Sequence, residues 1–296
     1  MNKTALIFGS SGQDGYYLNL LLSKKNIKVI NISRKSGDVI GNISDFEFVN
    51  NVIKINNPSY VFHLAAISST SHNYLKENNY GIVCGIINIL ESLKINNVEC
   101  KTFFAGSAIQ FINNGLPINE NTAFSYDNPY SIARNHAVDY IRYFRSNFNF
   151  KIYIGYLFNH DSFLRKNNHL NKKIINHVIN VNNGSKEKLL IGNLNAKKEF
   201  SHAKDIVEAI WVLVNQDDIF EVVIGSGISH KIQDWIIYCF NYFNIKDWNN
   251  FIEIDKNYLN PYKILVSDPS LIKSLGWNNK IEFEELANSM INNNQL

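Results

Sequence analysis

The chain has 296 residues, 45% of them hydrophobic and 19% charged, which suits one large α/β domain or two smaller lobes and is too apolar for a disordered chain. A formal net charge of +3, spread along the sequence with no basic block, argues against a nucleic-acid partner. Cys84, Cys100 and Cys239 are far apart and none sits beside a histidine at ligand spacing, so no disulfide framework or metal site is expected and a reducing, cytoplasmic setting is.

Strand and helix patterns alternate from the start. Thr4 to Phe8 is a short apolar run of the kind buried on both faces of a parallel sheet, and a glycine-rich turn and a helix carrying Tyr17, Leu18, Leu21 and Leu22 follow it. Lys28 to Ile32 reads as a strand, Phe46 to Asn56 as a helix, and Tyr60 to Leu64 as a strand. Asn79 to Ile95 then reads as a helix, Lys101 to Ala105 as a strand, Pro129 to Asn147 as a helix and Ile152 to Leu157 as a strand. Beyond Phe158 the helices Lys173 to Asn182, Lys204 to Asn215, Ile232 to Phe243 and Ile281 to Asn292 are separated by Asn- and Lys-rich loops. This order predicts a Rossmann-type, doubly wound parallel α/β sheet over residues 1–157. A smaller C-terminal substrate lobe over 158–296 would be partly interleaved with it, with a shared cleft between them. No membrane partner is expected. The opening lacks a signal-peptide run, and the most apolar uncharged stretch, Asn78 to Leu90, is too short to span a bilayer. Asn, Ile and Lys are over-used along the whole chain, as a genome-wide residue bias would produce.

Gly9-Ser10-Ser11-Gly12-Gln13-Asp14-Gly15 lies between the first strand and the first helix. There the first glycine permits a tight turn, the second lets the backbone approach a pyrophosphate, and the third lets the helix pack closely, with the phosphate on the helix N-terminus. Gly9, Ser11, Gly12, Gln13, Asp14 and Gly15 are therefore candidate cofactor-binding residues. At the end of the second strand a carboxylate would favour NAD and a cation NADP. Arg34 and Lys35 stand there, with no acid before Asp38, so NADP(H) is expected over NAD.

Asn128-Pro129-Tyr130-Ser131-Ile132-Ala133-Arg134 places Tyr130 and Arg134 one turn apart on one face of a helix opened by proline. A cation beside a phenol helps it take a proton from a sugar hydroxyl as hydride leaves the same carbon, and Ser107, just after a strand, would hold that hydroxyl. Ser107, Tyr130 and Arg134 are the candidate catalytic set.

The chain resembles the extended short-chain dehydrogenase/reductases, and within them the GDP-mannose 4,6-dehydratases and their reductase relatives. The resemblance is carried by ALIFGSSGQDGYYLNLLL, NPYSIAR, GYLFNHDS, IGNLNAKKEFSHAKDIVEAI and DPSLIKSLGW, which together cover nearly the whole chain. It implies a nucleotide-sugar substrate, cofactor contacts at Asn42, Leu64, Ala65 and Ala66 as well as at Tyr130 and Arg134, and substrate contacts at Ser107 and Asn159. Lys173 and Lys198 would lie near the diphosphate, as an anion requires. His160 and His202 fall in matched motifs but read as packed or hydrogen-bonded residues rather than catalytic ones. A homodimer through the Tyr130 helix is implied, with a tetramer possible.

The departures from the family decide the expected chemistry. Arg134 stands where the family has lysine, and arginine is planar, longer and always ionised. Ile109 stands where it has an acid/base glutamate, and no carboxylate occurs between Ser107 and Pro117. The loop after the second strand is much shorter than in the dehydratases, which weakens the case for a tetramer. The Arg and Glu expected before the DPS motif are missing from Tyr258 to Lys263. A dehydratase needs an acid/base beyond C4 oxidation, whereas simple hydride transfer needs only Ser107, Tyr130, Arg134 and the cofactor. An NADP(H)-dependent oxidoreductase at C4 of a nucleotide-activated sugar is therefore expected. The alternatives are a GDP-mannose-type 4,6-dehydratase that uses another group, for example Gln110 with a water, and a catalytically weak dinucleotide- or nucleotide-sugar-binding protein. Polysaccharide or glycoconjugate precursor synthesis is the natural setting for any of these enzymes.

Overall fold

The computed structural model describes residues 3–67, 69–255 and 263–293. The first half runs β1 (Thr4–Phe8), α1 (Gln13–Lys24), β2 (Lys28–Ser33), β3 (Val39–Ile40), α2 (Phe46–Asn56), β4 (Tyr60–His63), α3 (Leu75–Asn78), α4 (Gly85–Ile95), β5 (Lys101–Ser107), α5 (Pro129–Phe148) and β6 (Ile152–Leu157). The second half runs β7 (His160–Asp161), α6 (Leu170–Asn182), β8 (Leu189–Ile191), β9 (Lys197–Glu199), β10 (Ser201–His202), α7 (Ala203–Val214) and β11 (Glu221–Ile224). It continues with β12 (Ser229–Lys231), α8 (Ile232–Tyr242), β13 (Ile252–Ile254), β14 (Ile264–Leu265), α9 (Ser270–Ser274) and α10 (Phe283–Asn292).

Seven strands form one sheet in the order β11-β6-β5-β4-β1-β2-β3, every pair parallel. The alternation along β1 explains why its sequence is apolar throughout. Ala5 and Ile7 pack with Leu18 of α1 and Ile206 of α7 on one face, while Leu6 and Phe8 pack with Val49 of α2 and Ile89 of α4 on the other. Helix α5 covers the β5–β6 side through Ala133, Ala137 and Ile141. These are the layers of the expected Rossmann-type fold.

The second half does not stay in its own lobe. Helix α7, expected among the lobe's helices, packs on α1 beneath the sheet, and β11 pairs with β6 from Glu221–Ile154 to Ile224–Leu157. Glu221 fastens this edge. It accepts from Arg142 (2.7 and 3.0 Å) and Tyr156 Oη (2.7 Å) and also pairs with Arg145. Against the effect of burial, these contacts, Arg142's foremost, hold its carboxyl down at about 2. The remaining helices α6, α8 and α10 enclose a separate core around Trp235, Phe240 and Met290. Four residues of β11 are too few for periodicity to separate a buried strand from a helix turn.

The helix expected over Asn79 to Ile95 divides, with a π-turn over Asn79–Cys84 ahead of α4. The fully buried His63 ring sits against this segment. A Cβ on Gly85 would lie 2.8 Å from His63 Nε2, so the glycine is what admits the ring. Many helices end in an asparagine. Asn26, Asn57, Asn97, Asn149, Asn244 and Asn293 all adopt positive φ, the left-handed conformation in which asparagine is the usual substitute for glycine. Some of the asparagine excess is thus spent on caps.

Candidate active site

Gly9 has φ +94°, and a Cβ there would lie 2.6 Å from Ala65 N, so β1 can turn beside the end of β4 only with glycine at this position. A Cβ at Gly15 would lie 2.5 Å from Ser10 Cα, which makes it the close-packing glycine of the turn. Gly12 is different. Its Cβ would meet nothing nearer than Gly9 O at 3.4 Å, so the protein's own packing does not require glycine here. It caps α1 without any side-chain hydrogen bond to the first turn, and the bare N-terminus beside an exposed Gly12 fits a pyrophosphate.

At the end of β2, Arg34 and Lys35 are exposed. Asp38, the nearest acid, is turned away, accepting from Asn31 N (2.8 Å) and Asn31 Nδ2 (3.2 Å). Asn42 is exposed beyond β3, its Oδ1 accepting from Ser44 N.

Beyond the turn, at the carboxyl ends of β4, β5 and β6, lies a cavity of about 310 Å³. Leu64, Ala66, Ser107, Ile109, Tyr130 and Arg134 line one part of it, and Asn159, His160, Asp161, Arg165, His169, Asn171 and Lys198 another. Proline at the first turn of α5 and an Asn128 cap on Ser131 N (3.0 Å) start the helix so that Tyr130 and Arg134 face this space. Arg134 Nη2 donates to Tyr130 Oη at 3.0 Å. The guanidinium lies 5.2 Å from the Phe104 ring centre and 5.0 Å from that of Tyr130, a sandwich that suits a planar cation. Its Nε and Nη1 are buried without a hydrogen-bond partner, which leaves two donors open to a ligand. Burial, reinforced by Arg134, holds His63 neutral, its pKa pushed down to about 3, so it does not compete for that charge.

Ile109 lines the cavity, whereas Gln110 is fully buried beneath it. Gln110 Oε1 accepts from Ser107 N (2.7 Å) and its Nε2 donates to Asn135 Oδ1 (3.0 Å), so the oxygen holds Ser107 while the nitrogen is tied to α5. The Gln110–water route considered from sequence therefore has no group to offer the cavity.

The far wall is a chain of polar contacts. Lys198 Nζ donates to Asn171 Oδ1 (3.0 Å), Asn171 Nδ2 donates to Asp161 Oδ2 (2.5 Å), and Asp161 pairs with Arg165. Burial lowers the Lys198 pKa, and burial together with Arg165 lowers that of His169. Lys173 is exposed on α6 and does not line the cavity, although Asn171 does. Sequence reasoning missed Arg165, His169 and Asn171. Arg165 could have been found, since it lies six residues after Asn159 in the same loop, but nothing in the sequence says which loop side chains turn inward. Gln13 spans to this loop rather than towards a ligand, donating to His160 O (3.2 Å) and accepting from Ser162 Oγ (3.0 Å). Asp14 pairs with His160 at 2.9 Å and lines the cavity. His202 is packed, as expected: its Nδ1 accepts from Lys204 N (3.0 Å) and burial pushes its pKa down to about 4. Of the stretch before the DPS motif, Tyr258 to Tyr262 lie outside the described residues. Among the described residues no group of His, Cys, Asp and Glu could hold a metal ion, and no helix is long and apolar enough to cross a membrane.

The solved structures that this chain resembles share its fold along nearly the whole length. UDP-glucose 4-epimerase from Thermotoga maritima, solved with UDP-glucose, superposes with a TM-score of 0.87 at 17% identity over 98% of both chains. The dTDP-glucose 4,6-dehydratase of Bacillus anthracis, solved with NAD, gives 0.84 at 16% over 98% of this chain and 96% of that one. In sequence the chain is 28% identical to GDP-mannose 4,6 dehydratase 1 of Arabidopsis thaliana over 98% of this chain and 89% of that protein. It is 26% identical to the GDP-mannose 4,6 dehydratase of Dictyostelium discoideum over 98% and 95%. The family model for GDP-mannose 4,6 dehydratase matches residues 6–290. Because that family model spans nearly the whole chain, the chain is an enzyme of the extended short-chain dehydrogenase/reductase type and belongs to the GDP-mannose 4,6-dehydratase family.

Proposed function

We propose that the chain is an NADP(H)-dependent enzyme acting at C4 of a GDP-linked hexose, with Tyr130 as the acid/base. The observation that carries this reading is the 3.0 Å contact from buried Arg134 to Tyr130 Oη on the cavity wall. Because that oxygen accepts from Arg134, its own O–H is left for the O4 oxygen of a sugar, with Ser107 as the second hydroxyl at the same spot. Gly12 and the α1 N-terminus would hold the pyrophosphate of the cofactor, Arg34 and Lys35 its 2′-phosphate, and Arg134 Nε and Nη1 its ribose. The bound nicotinamide supplies the hydride acceptor or donor. Lys198 and Arg165 would take the diphosphate of the sugar nucleotide, and the apolar group Leu64, Ala66 and Ile109 would face the sugar.

A second reading, complete 4,6-dehydration, is supported by the family and by the relatives that share the most sequence. It uses the same C4 step and adds proton transfer at C5 and C6. In this cavity Ile109 can move no proton, so that work would fall to Tyr130 or His169. One experiment separates the two. Incubated with NADP⁺ and GDP-mannose, a 4,6-dehydratase returns a product lighter by one water with no lasting cofactor reduction. A C4 dehydrogenase returns one lighter by two hydrogens with stoichiometric NADPH. If neither appears, oxidation of NADPH with a GDP-4-keto-6-deoxyhexose identifies a 4-ketoreductase, and silence in both assays overturns the enzymatic reading.

The same proposal includes a cytoplasmic homodimer. Ile132, Tyr140 and Tyr143 of α5 are 45%, 36% and 54% exposed, a stripe that a second copy would cover. Light scattering on the purified protein and on Tyr143→Glu tests this, the variant being expected to run as a monomer.

A further inference from the structure

The imidazole of His160 is held between two acceptors. Nδ1 lies 2.7 Å from Phe158 O and Nε2 lies 2.9 Å from Asp14 Oδ1. A carbonyl and a carboxylate can only accept, so both contacts are satisfied only when each ring nitrogen carries a hydrogen, which is the imidazolium. The same short loop is fastened at two more points. Gln13 bridges His160 O and Ser162 Oγ, and Arg165 reaches both His160 O and Asp161. From Asp161 the contacts pass through Asn171 to Lys198. A continuous run of polar contacts therefore joins the first turn of α1, where the cofactor's pyrophosphate is expected, to the cationic wall of the cavity.

We propose that His160 is a positioning residue that, as an imidazolium, clamps the 158–165 loop onto the cofactor turn and so sets how tightly the cavity holds the phosphate end of its ligand. The effect on ligand binding rests on the nucleotide-sugar reading above; the clamp itself does not. A neutral ring has one N–H and must release either Phe158 O or Asp14. The groups facing the ring are Asp14 from α1, Arg165 from its own loop, itself paired with Asp161, and the buried, neutral His202 from β10. Burial and Arg165 oppose the charge and Asp14 favours it, with the balance raising the His160 pKa and lowering that of Asp14. The clamp is accordingly complete below the ordinary imidazole range and is lost as pH rises through the raised value.

The test is a histidine-labelled NMR titration of the whole protein, with the His160 signal assigned by its loss in His160→Gln. The expected result is a ring that titrates above an ordinary histidine, and whose midpoint falls in Asp14→Asn, which keeps the acceptor oxygen but removes its charge. Hydrogen exchange across residues 158–165, corrected for intrinsic pH dependence, should lose protection above the same midpoint in the wild type. Calorimetry with GDP-mannose should show affinity falling about tenfold across it. A ring that titrates at or below the ordinary value, or loop protection indifferent to its midpoint, overturns the clamp. Should GDP-mannose bind at no pH, the nucleotide-sugar reading falls instead, and the two ligand-free measurements still decide the clamp.

Discussion

The two walls of the cavity solve opposite problems. Around Tyr130, the cation Arg134 is buried between aromatic rings with two donors left without protein partners. Around Lys198, the side chains of Asn171, Asp161 and Arg165 are already partnered, and the contacts run on through His160 as far as Asp14. Unsatisfied buried donors cost stability, so a wall that keeps them is shaped for a ligand that will satisfy them. A self-satisfied wall is already rigid before the ligand arrives, and it recognises charge by sharing contacts rather than by completing them.

This contrast predicts that substitutions on the Tyr130 wall change turnover and those on the Lys198 wall change affinity. The largest effect is expected from Tyr130→Phe, which keeps the packing but removes the proposed acid/base, with kcat reduced by about two to four orders of magnitude in steady-state assays. Arg134→Met keeps the bulk between the rings and removes the donor to Tyr130. A charged hydrogen bond of roughly 1.5–3 kcal/mol predicts a fall in kcat of about tenfold to a hundredfold, with KM for the sugar nucleotide little changed. Asn171→Ala cuts the far wall's chain at its middle, and should raise that KM by about tenfold with kcat nearly intact. An equal fall in kcat would break the division between the walls. The smallest effect is expected from Gly12→Ala, with a melting temperature within a few degrees of wild type and NADP⁺ affinity weakened by about tenfold in fluorescence titration. Gly9→Ala, which meets backbone at 2.6 Å, should instead destabilise the fold by roughly 1–3 kcal/mol on denaturant melts.

The sheet was legible because its strands are buried on both faces and bounded by turns. The expected limits of β1, α2 and β6 coincide with those observed. Tyr130 and Arg134 were legible because a helix phase fixes which residues share a face. The resemblance places Lys173 near the diphosphate, but on α6 the cavity face belongs to Asn171, and two residues along a helix is more than half a turn. Arg165 and His169 lie in a loop, where no period says which way a side chain turns. Gln110 and Ile109 are adjacent, so the chain had to bury one and present the other, and the inward anchor was Asn135, 25 residues away in sequence.

The asparagines at the helix ends have a practical consequence. Asn57, Asn149 and Asn293 each close a helix in a left-handed conformation that glycine adopts with less strain. They lie outside the groups that line the cavity. Glycine at such caps is worth roughly half a kcal/mol or more apiece, so a hardier version of this enzyme could be assembled by editing them one at a time while its chemistry goes on undisturbed.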